Sequence, residues 1–386
     1  MNNGLYALAG ASATATAAAW AKRLDWPMTK LSKVYFGFRR VSLRDAGTIG
    51  SGVWSMTFEC TAIVGDDPLR SPPAPLPEAE ELDARAVLDG YLRGDYDLVC
   101  ILGPTASGKT KLAVSLARAF NSLLATSGGG KAEIISADSR QVYRGMDIGT
   151  GKDIEEYGEI PCHLIDIVPA GARYNIFEYQ RDFENAWKDI RSRGCVPILC
   201  GGSGLYIEAA TCGYAFPEIP PDEELRERLY AEPIEELREK YAELRPVHDP
   251  SVMLSKRRLV RALEVALYEQ DHPAVRRAEL PRKTYFIGTL VSREERNARI
   301  DRRLDERLAG GMIEEIRGLI DGGIAAEDLI YYGLEYKFVT QYILGLLSFQ
   351  QMRTLLSNAI HQFAKRQMTW FRGMEKDGVG IHWVKP

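Results

Sequence analysis

The chain has 386 residues, of which 45% are hydrophobic and 26% are charged, and its formal net charge is −4. These values are typical of a globular protein of two or three domains, and the lack of a long apolar run argues against a membrane protein. The six cysteines show neither zinc-ligand spacing nor a disulfide framework, which fits a cytoplasmic location.

The first part of the chain differs in composition from the rest. It begins with an Ala- and Thr-rich stretch that does not resemble a secretory signal, and Ser71–Pro77 is rich in proline, as in a stiff, extended linker. We interpret residues 1–78 as an extension whose degree of order the sequence does not define. A short helix is predicted from Glu78 to Leu92, ahead of the first strand.

A complete phosphate-binding loop follows that strand. It reads Gly-Pro-Thr-Ala-Ser-Gly-Lys-Thr, directly after the apolar run 96–102 and before a predicted helix at 111–120. In such a loop the glycines let backbone N–H groups point at a phosphate, the lysine adds a positive charge and the threonine hydroxyl can bind magnesium. The predicted phosphate-binding residues are Gly103, Pro104, Thr105, Ala106, Ser107, Gly108, Lys109 and Thr110.

Strands and helices then alternate along the chain. The candidate strands are 133–136, 163–167, 196–200 and 283–288, and a helix with an apolar stripe is predicted at 174–193. This pattern predicts the P-loop NTPase-like α/β class, a parallel sheet flanked by helices with its ligands at the carboxyl ends of the strands. The predicted units are the extension 1–78, the first part of the core 79–215, a mostly helical insertion 216–282, and the remaining core with C-terminal helices 283–386.

Polar residues come directly after the second strand. The run Asp138-Ser139-Arg140-Gln141 supplies a carboxylate, a hydroxyl, a cation and an amide, and a glycine-bracketed loop that ends at Lys152 follows it. An aspartate at a strand end is most often a turn former or a helix cap. Because this turn and the phosphate loop both follow parallel strands, we expect them to face one crevice, where the set could bind a polar planar group and accept a proton.

A segment that begins in the predicted insertion and runs past its end is locally basic. From residue 251 to residue 310, Lys and Arg number 14 and Asp and Glu number 9. Lys256, Arg257, Arg258 and Arg261 lie on one predicted helix, which suits a nucleic-acid backbone. A solvated helix face with many ion pairs would give the same charge pattern, so charge alone leaves both interpretations open.

Five segments, taken in order, resemble the motif series of bacterial tRNA dimethylallyltransferases. They are 103–110, 136–150, 201–206, 256–264 and 364–372. The resemblance runs from about Asp97 to Trp383, essentially the whole chain apart from the extension. It implies transfer of a dimethylallyl group from its diphosphate to the exocyclic amine of the adenosine on the 3′ side of the anticodon, in tRNAs that read codons starting with U.

The resemblance also implies residue roles. The loop would hold the diphosphate of the donor instead of a nucleotide, with Mg²⁺ on Thr110 and on the phosphate oxygens. Asp138 would accept the proton from the amine, and Arg303 would add a cation, so that Asp138, Thr110 and Arg303 form the catalytic set. The residues implied to contact tRNA are Asp138, Ser139, Arg140, Gln141, Ser203, Arg226, Arg257, Arg258, Leu259, Val260 and Arg261. The expected partners are tRNA and dimethylallyl diphosphate, with no membrane, and the chain is expected to be a monomer.

Two positions and one segment depart from the family pattern. Ser203 replaces a frequent threonine and keeps the hydroxyl, and Cys162 replaces one histidine of a frequent pair and leaves His163. The segment Gly333-Leu334-Glu335-Tyr336-Lys337 differs from the more usual Gly-Tyr-Arg pattern, which puts the tRNA contact there in doubt. None of these departures changes a residue of the phosphate loop or Asp138 itself.

Two other functions use the same features. A P-loop kinase for a small metabolite would use Lys109 and Thr110 on ATP, with the insertion as a lid. A noncatalytic RNA-binding relative would bind tRNA with strong salt dependence and form no product. The intact Lys109, Thr110 and Asp138 argue against this second alternative.

Overall fold

The computed structural model describes residues 77–126, 129–212, 219–244, 250–272 and 282–386. Residues 1–76 of the predicted extension lie outside the described residues. The strands are β1 Leu98–Leu102, β2 Ala132–Ala137, β3 Tyr143–Arg144, β4 Cys162–His163, β5 Val168–Pro169, β6 Val196–Gly201, β7 Thr284–Thr289 and β8 Ile381–Val384. No helix in these ranges has both the length and the apolar character that a membrane span requires.

Helices follow most of the strands. The α-helices are α1 Ala84–Arg93, α2 Lys109–Ala125, α3 Ile176–Ser192, α4 Gly204–Thr211, α5 Glu223–Ala231, α6 Ile234–Leu244, α7 Lys256–Asp271, α8 Arg293–Ala309, α9 Met312–Asp321, α10 Ala326–Tyr332, α11 Leu334–Ile343 and α12 Phe349–Lys376. Short 3₁₀ helices lie at Ile154–Tyr157 and Pro250–Leu254.

Six strands form one sheet in the order β4-β2-β6-β1-β7-β8. Each neighbouring pair is parallel, so all six carboxyl ends lie at the same edge. A second, small parallel sheet pairs β3 with β5. The predicted class, a parallel sheet flanked by helices, is confirmed.

Both faces of the sheet are buried. Alternate residues of β1 point to opposite faces, as the two-residue period of a strand requires. Leu98 and Leu102 pack into a core with aromatic residues of α3, α4 and α12, whereas Val99 and Ile101 pack against α1 and α2. Because every residue of β1 is buried, the strand reads as a continuous apolar run, which is typical of a parallel sheet covered on both sides.

The predicted strand at 163–167 was too long. β4 ends at His163, because Leu164 and Asp166 have left-handed backbone angles with φ of 64° and 56°. The Asp166 carboxylate pairs with the buried ammonium of Lys152, and its N–H donates to the Gln141 carbonyl at 3.1 Å. These contacts turn the chain away from the sheet before β5 begins.

Two further groups of helices complete the described fold. Helices α5, α6 and α7 share a small apolar core of their own. Helices α8 to α12 form another core with Val142, Tyr143 and Met146, the residues that follow the Asp138 turn. The C-terminal helices are thereby anchored directly beside the carboxyl edge of the sheet.

Candidate active site

Four adjacent strands end at the candidate site. In sheet order, β2 leads into Asp138, β6 into Gly202 and Ser203, β1 into the phosphate loop, and β7 ends at Thr289. Ligands of open parallel sheets bind beyond the carboxyl ends of the strands. The predicted crevice between the loop and the Asp138 turn therefore lies where the fold places a ligand site.

The phosphate loop has the backbone that its glycines predict. Gly108, with φ of +86°, is the N-cap of α2, and Ala106 also has a left-handed φ of 60°. Gly103 lies so close to β7 that a Cβ there would stand 1.9 Å from Thr289 Oγ1 and 2.7 Å from Ser107 Oγ. The loop thus forms a tight turn at the N-terminus of a 17-residue helix, an arrangement that binds anions.

Buried polar side chains support this loop from the protein side. Ser107 and Thr289 are both buried, and Thr289 Oγ1 lies 2.6 Å from Ser107 Oγ. Gln367 of α12 accepts a hydrogen bond from Thr105 N–H at 2.8 Å and donates one to the Gly202 carbonyl at 2.8 Å. Gln367 therefore ties the phosphate loop to the end of β6.

Sequence reasoning did not assign Gln367 a role. Its position in the sequence could have indicated a role, because Gln367 interrupts the buried apolar stripe of α12. The apolar residues of this stripe include Ile360, Ala364, Phe371 and Met374. A buried amide on such a stripe must find hydrogen-bond partners. The partners of Gln367 are backbone groups of the phosphate loop and of the end of β6, so this amide belongs to the site.

Charged groups gather around Lys109. Burial lowers the pKa of the Lys109 ammonium, the charges of Arg303 and Arg307 on α8 lower it further, and Asp138 opposes this shift. Arg303 also pairs with Asp153. Three cations near one carboxylate favour the binding of an anion such as a diphosphate.

Arg307 was not among the predicted site residues. Its guanidinium packs beneath Gly151, where a Cβ would meet Arg307 Nη2 at 1.6 Å. The Gly151 carbonyl in turn accepts a hydrogen bond from Gln141 Nε2 at 3.2 Å. Arg307 lies four residues after Arg303 on α8, so the two side chains share one face of the helix. A search of that face for further cations would have found Arg307 from the sequence.

The residues after β2 form an ordered turn. The Asp138 Oδ1 atom accepts a hydrogen bond from the Arg140 N–H at 3.0 Å. Ser139 N–H donates to Ser203 Oγ at 3.1 Å, which joins this turn to the end of β6. The structure thus brings together the predicted Asp138, Ser139, Arg140, Gln141 and Ser203.

A cavity of about 270 Å³ opens beside this turn. Six tyrosines contribute to its wall, a feature that sequence reasoning missed because they come from distant segments. The lining residues are Ser139, Arg140, Tyr143, Met146, Tyr174, Tyr206, Arg257, Tyr331, Tyr332 and Tyr336. Aromatic side chains of this kind stack well on a nucleobase.

Three tyrosines of this wall are not suited to accept a proton. Burial raises the pKa of Tyr206 and of Tyr143, and it raises the pKa of Tyr332 to about 12. Their hydroxyls therefore stay protonated near neutral pH. Asp138 is adjacent in sequence to Ser139, a residue of the cavity wall.

Residues 141–374 match the family described as IPP transferase. The chain belongs to this family. It is 52% identical over 291 residues to tRNA dimethylallyltransferase 1 of Porphyromonas gingivalis, covering 74% of this chain and 93% of that protein. It is 49% identical over 294 residues to tRNA dimethylallyltransferase 2 of Bacteroides fragilis, covering 75% and 93%. The full-length tRNA isopentenylpyrophosphate transferase of Bacillus halodurans has a similar structure, with a TM-score of 0.54, 32% identity, and coverage of 75% and 90%.

Arg257, one of the residues expected to contact RNA, reaches the site from the insertion. Arg257, at the start of α7, lines the tyrosine cavity, and its guanidinium carbon lies 5.5 Å from the centre of the Tyr331 ring. Arg258 is exposed on the same helical turn. The first turn of α7 thus places one arginine at the cavity and a second, Arg258, on the exposed surface next to it.

Other expected contacts lie within the insertion itself. Arg226 and Arg261 both pair with the buried carboxylate of Glu264, and Arg226 reaches its two oxygens at 3.0 Å each. Leu259 and Val260 are 0% and 1% exposed. Their side chains pack α7 against its neighbours, and the expected tRNA contact of these two residues remains a prediction.

The departures from the IPP transferase pattern have structural partners. The Ser203 hydroxyl keeps its contacts to Ser139, and His163 Nε2 lies 2.7 Å from the Glu133 carboxylate. Glu335 pairs with Arg140 at 2.6 Å. The altered segment at 333–337 therefore contacts the Asp138 turn directly.

Proposed function

We propose that this protein transfers a dimethylallyl group from dimethylallyl diphosphate to the exocyclic amine of the adenosine 3′ to the anticodon, in tRNAs that read codons starting with U. The observation that supports this function best is the meeting of an anion-binding loop, a carboxylate and a tyrosine-lined cavity at one sheet edge. Family membership and relatives named tRNA dimethylallyltransferase agree with it.

The phosphate loop would bind the diphosphate of the donor. Its N–H groups, the Lys109 ammonium and the guanidinium groups of Arg303 and Arg307 would oppose the charge that develops as the diphosphate leaves. Thr110 is the second residue of α2 and is partly exposed next to the loop, so its hydroxyl fits as a magnesium ligand. A bound Mg²⁺ would neutralise part of the phosphate charge.

The phosphates themselves would supply most of the remaining ligands of that ion. Within the described ranges, no group of three or more His, Cys, Asp and Glu side chains is arranged to hold a metal. Mg²⁺ commonly binds through few protein ligands together with substrate phosphates. The donor and the ion would therefore bind together.

Asp138 would act as the general base. The adenosine nitrogen forms a bond to the allylic carbon while the bond from that carbon to the diphosphate oxygen breaks. The nitrogen proton passes to the Asp138 carboxylate, and the electron pair of the broken bond leaves with the diphosphate. Because an adenine amine is a weak nucleophile, positioning and charge stabilisation would supply most of the rate.

The target base must leave its stack to reach Asp138. A base in a single-stranded loop can be extruded at a low cost, and aromatic walls stabilise it once extruded. The tyrosine cavity suits this role, and Arg257 and Arg258 at the start of α7 would contact the neighbouring phosphates. We expect a monomer that acts on tRNA in the cytoplasm.

The test is a reaction of purified protein with magnesium, dimethylallyl diphosphate and unmodified tRNA, followed by mass spectrometry of the nucleosides. An adenosine heavier by one dimethylallyl group is expected. A parallel reaction holds ATP in place of the donor. Tight tRNA binding without a heavier nucleoside would favour a noncatalytic relative, and ATP consumption without one would favour a kinase.

A further inference from the structure

The altered segment places one buried carboxylate between two arginines. Glu335, at the start of α11, is 5% exposed. Its Oε2 atom lies 2.6 Å from Arg140 Nη1, and its Oε1 atom lies 3.8 Å from Arg307 Nη1. The shorter contact makes Arg140 the principal partner.

Arg140 is held at several points. Its Nη2 donates to the Tyr332 carbonyl at 3.2 Å, and its backbone N–H donates to Asp138 Oδ1 at 3.0 Å. The side-chain bonds to Glu335 and Tyr332 use two of the five guanidinium donors. The same side chain lines the tyrosine cavity. A cation with further donors is thus fixed beside the general base.

Stability alone does not account for a buried ion pair here. Replacing such a pair by apolar residues is often neutral or stabilising, because desolvation of two charges offsets their attraction. The backbone before Glu335 is also strained, since Leu334 has a left-handed φ of 40°. Strained backbone that aims a buried charge is found mainly where position matters for function.

We propose that Glu335 is a positioning residue, which holds the Arg140 guanidinium at the cavity wall in the orientation that binds the target nucleotide. This role rests on the proposed function. It also explains why the segment can depart from the Gly-Tyr-Arg pattern without loss of the site, since the departure supplies a partner for Arg140.

The first test compares Glu335→Gln with wild type in steady-state transfer to unmodified tRNA. The glutamine keeps the shape and removes the charge that holds Arg140. We expect the KM for tRNA to rise about tenfold, the scale of a weakened charge-assisted hydrogen bond. The KM for dimethylallyl diphosphate should stay within about twofold, because the loop contacts are untouched. Glu327→Gln, an exposed site on α10, is the matched control.

A second variant separates positioning from stability. Arg140→Met leaves the Glu335 charge buried with only the distant Arg307, so the melting temperature should fall. Adding Glu335→Gln should restore the melting temperature and leave the KM for tRNA high. If the double variant regained a wild-type KM, the pair would serve stability only and the proposal would be overturned.

The remaining outcomes are distinct. A Glu335→Gln enzyme with wild-type KM values would overturn the positioning role while the transferase function stands. A wild-type protein that makes no dimethylallyl adenosine would overturn the proposed function, and the positioning role with it.

Discussion

Buried polar side chains hold the phosphate loop in place. Ser107, Thr289 and Gln367 are buried, and each has a hydrogen-bond partner inside the protein. Leaving one buried polar group without its partner costs about 1–3 kcal/mol. The loop therefore owes its shape to side chains behind it as well as to its own glycines.

The assignment of Asp138 can be tested with an isosteric change. Asp138→Asn keeps an oxygen for the Arg140 N–H and removes the base, so kcat should fall by about 10²–10⁴ while donor affinity is unchanged. Single-turnover rates and equilibrium binding of the donor measure the two quantities. Asp89→Asn, at an exposed position of α1, is the control. Wild-type turnover in Asp138→Asn would remove this residue from the chemistry.

The close approach of Gly103 to β7 gives a second prediction. Gly103→Ala would place a methyl group 1.9 Å from Thr289 Oγ1, so the loop or β7 must move. We expect overpacking to reduce the free energy of unfolding by about 1–3 kcal/mol, and so to lower the melting temperature. Donor binding should also weaken. Gly318→Ala has open space on a helix and should be neutral or stabilising. Equal behaviour of the two variants would contradict the described packing.

Contiguous motifs made part of the site predictable. The loop and the Asp138 turn follow strands whose apolar runs are visible, and parallel strands end at one edge. Gln367, Arg307, Glu335 and the tyrosines were not predicted, because they come from separate elements that only the packing of the whole fold brings together. No local pattern specifies that packing.

At the scale of the elements, α7 has two functions on one helix. Its buried face holds the insertion together through Leu259, Val260 and Leu263, and its first turn exposes Arg257 and Arg258. The sequence pattern of cations and apolar residues predicted the helix but did not separate these two faces. The family motif at 256–264 contains residues of both faces.

The exposed face of α7 can be tested through salt dependence. Arg258→Ala should weaken tRNA binding and reduce the slope of log K against log salt by about one, as expected when one phosphate contact is lost. Binding measured over a series of salt concentrations gives this slope. Arg85→Ala on α1 removes the same charge outside the insertion. If both variants kept the wild-type slope, Arg258 would not contact a phosphate.

Another contact joins elements on the sheet. The buried carboxylate of Glu133 on β2 interacts with Arg193, after α3, and with His163 on β4. Its hydrogen bonds to Arg193 are the main reason that its pKa is lowered to about 2 from an ordinary value of 4.5, although burial opposes the shift.

This cluster predicts acid sensitivity. A carboxylate with a lowered folded-state pKa stabilises the protein above its unfolded pKa, and that stability is lost as the pH falls from about 4.5 to about 2. The free energy of unfolding should therefore decline over this range, by an amount on the order of 3 kcal/mol from this group. Glu133→Gln should flatten the decline, as measured by denaturant unfolding at several pH values. An unchanged pH profile would contradict the lowered pKa.

At the scale of the whole molecule, the order of the strands in the sheet could not be predicted from the sequence. Alternating strands and helices predicted a parallel sheet, but the order β4-β2-β6-β1-β7-β8 depends on which crossover packs on which face. The short edge strand β8 was missed, because its four residues give too little pattern. The predicted division into core and insertion remains a prediction.

Binding of the diphosphate should stabilise the whole fold. At a ligand concentration of 100 times Kd, the gain is about 2.7 kcal/mol. We expect inorganic diphosphate with magnesium to raise the melting temperature of wild type and to have little effect on Lys109→Met. Thermal unfolding with and without the ligand measures this. An equal shift in both proteins would place the anion elsewhere.

The bond between Thr105 and Gln367 has a consequence for the timing of biosynthesis. The two residues are 262 positions apart. At 5–20 residues per second, about 13–50 s separate their synthesis on the ribosome. During that interval the loop lacks its support from α12, and the nascent chain has no complete donor site. We therefore expect the protein to bind its proposed donor only near the end of translation, when its last long helix docks.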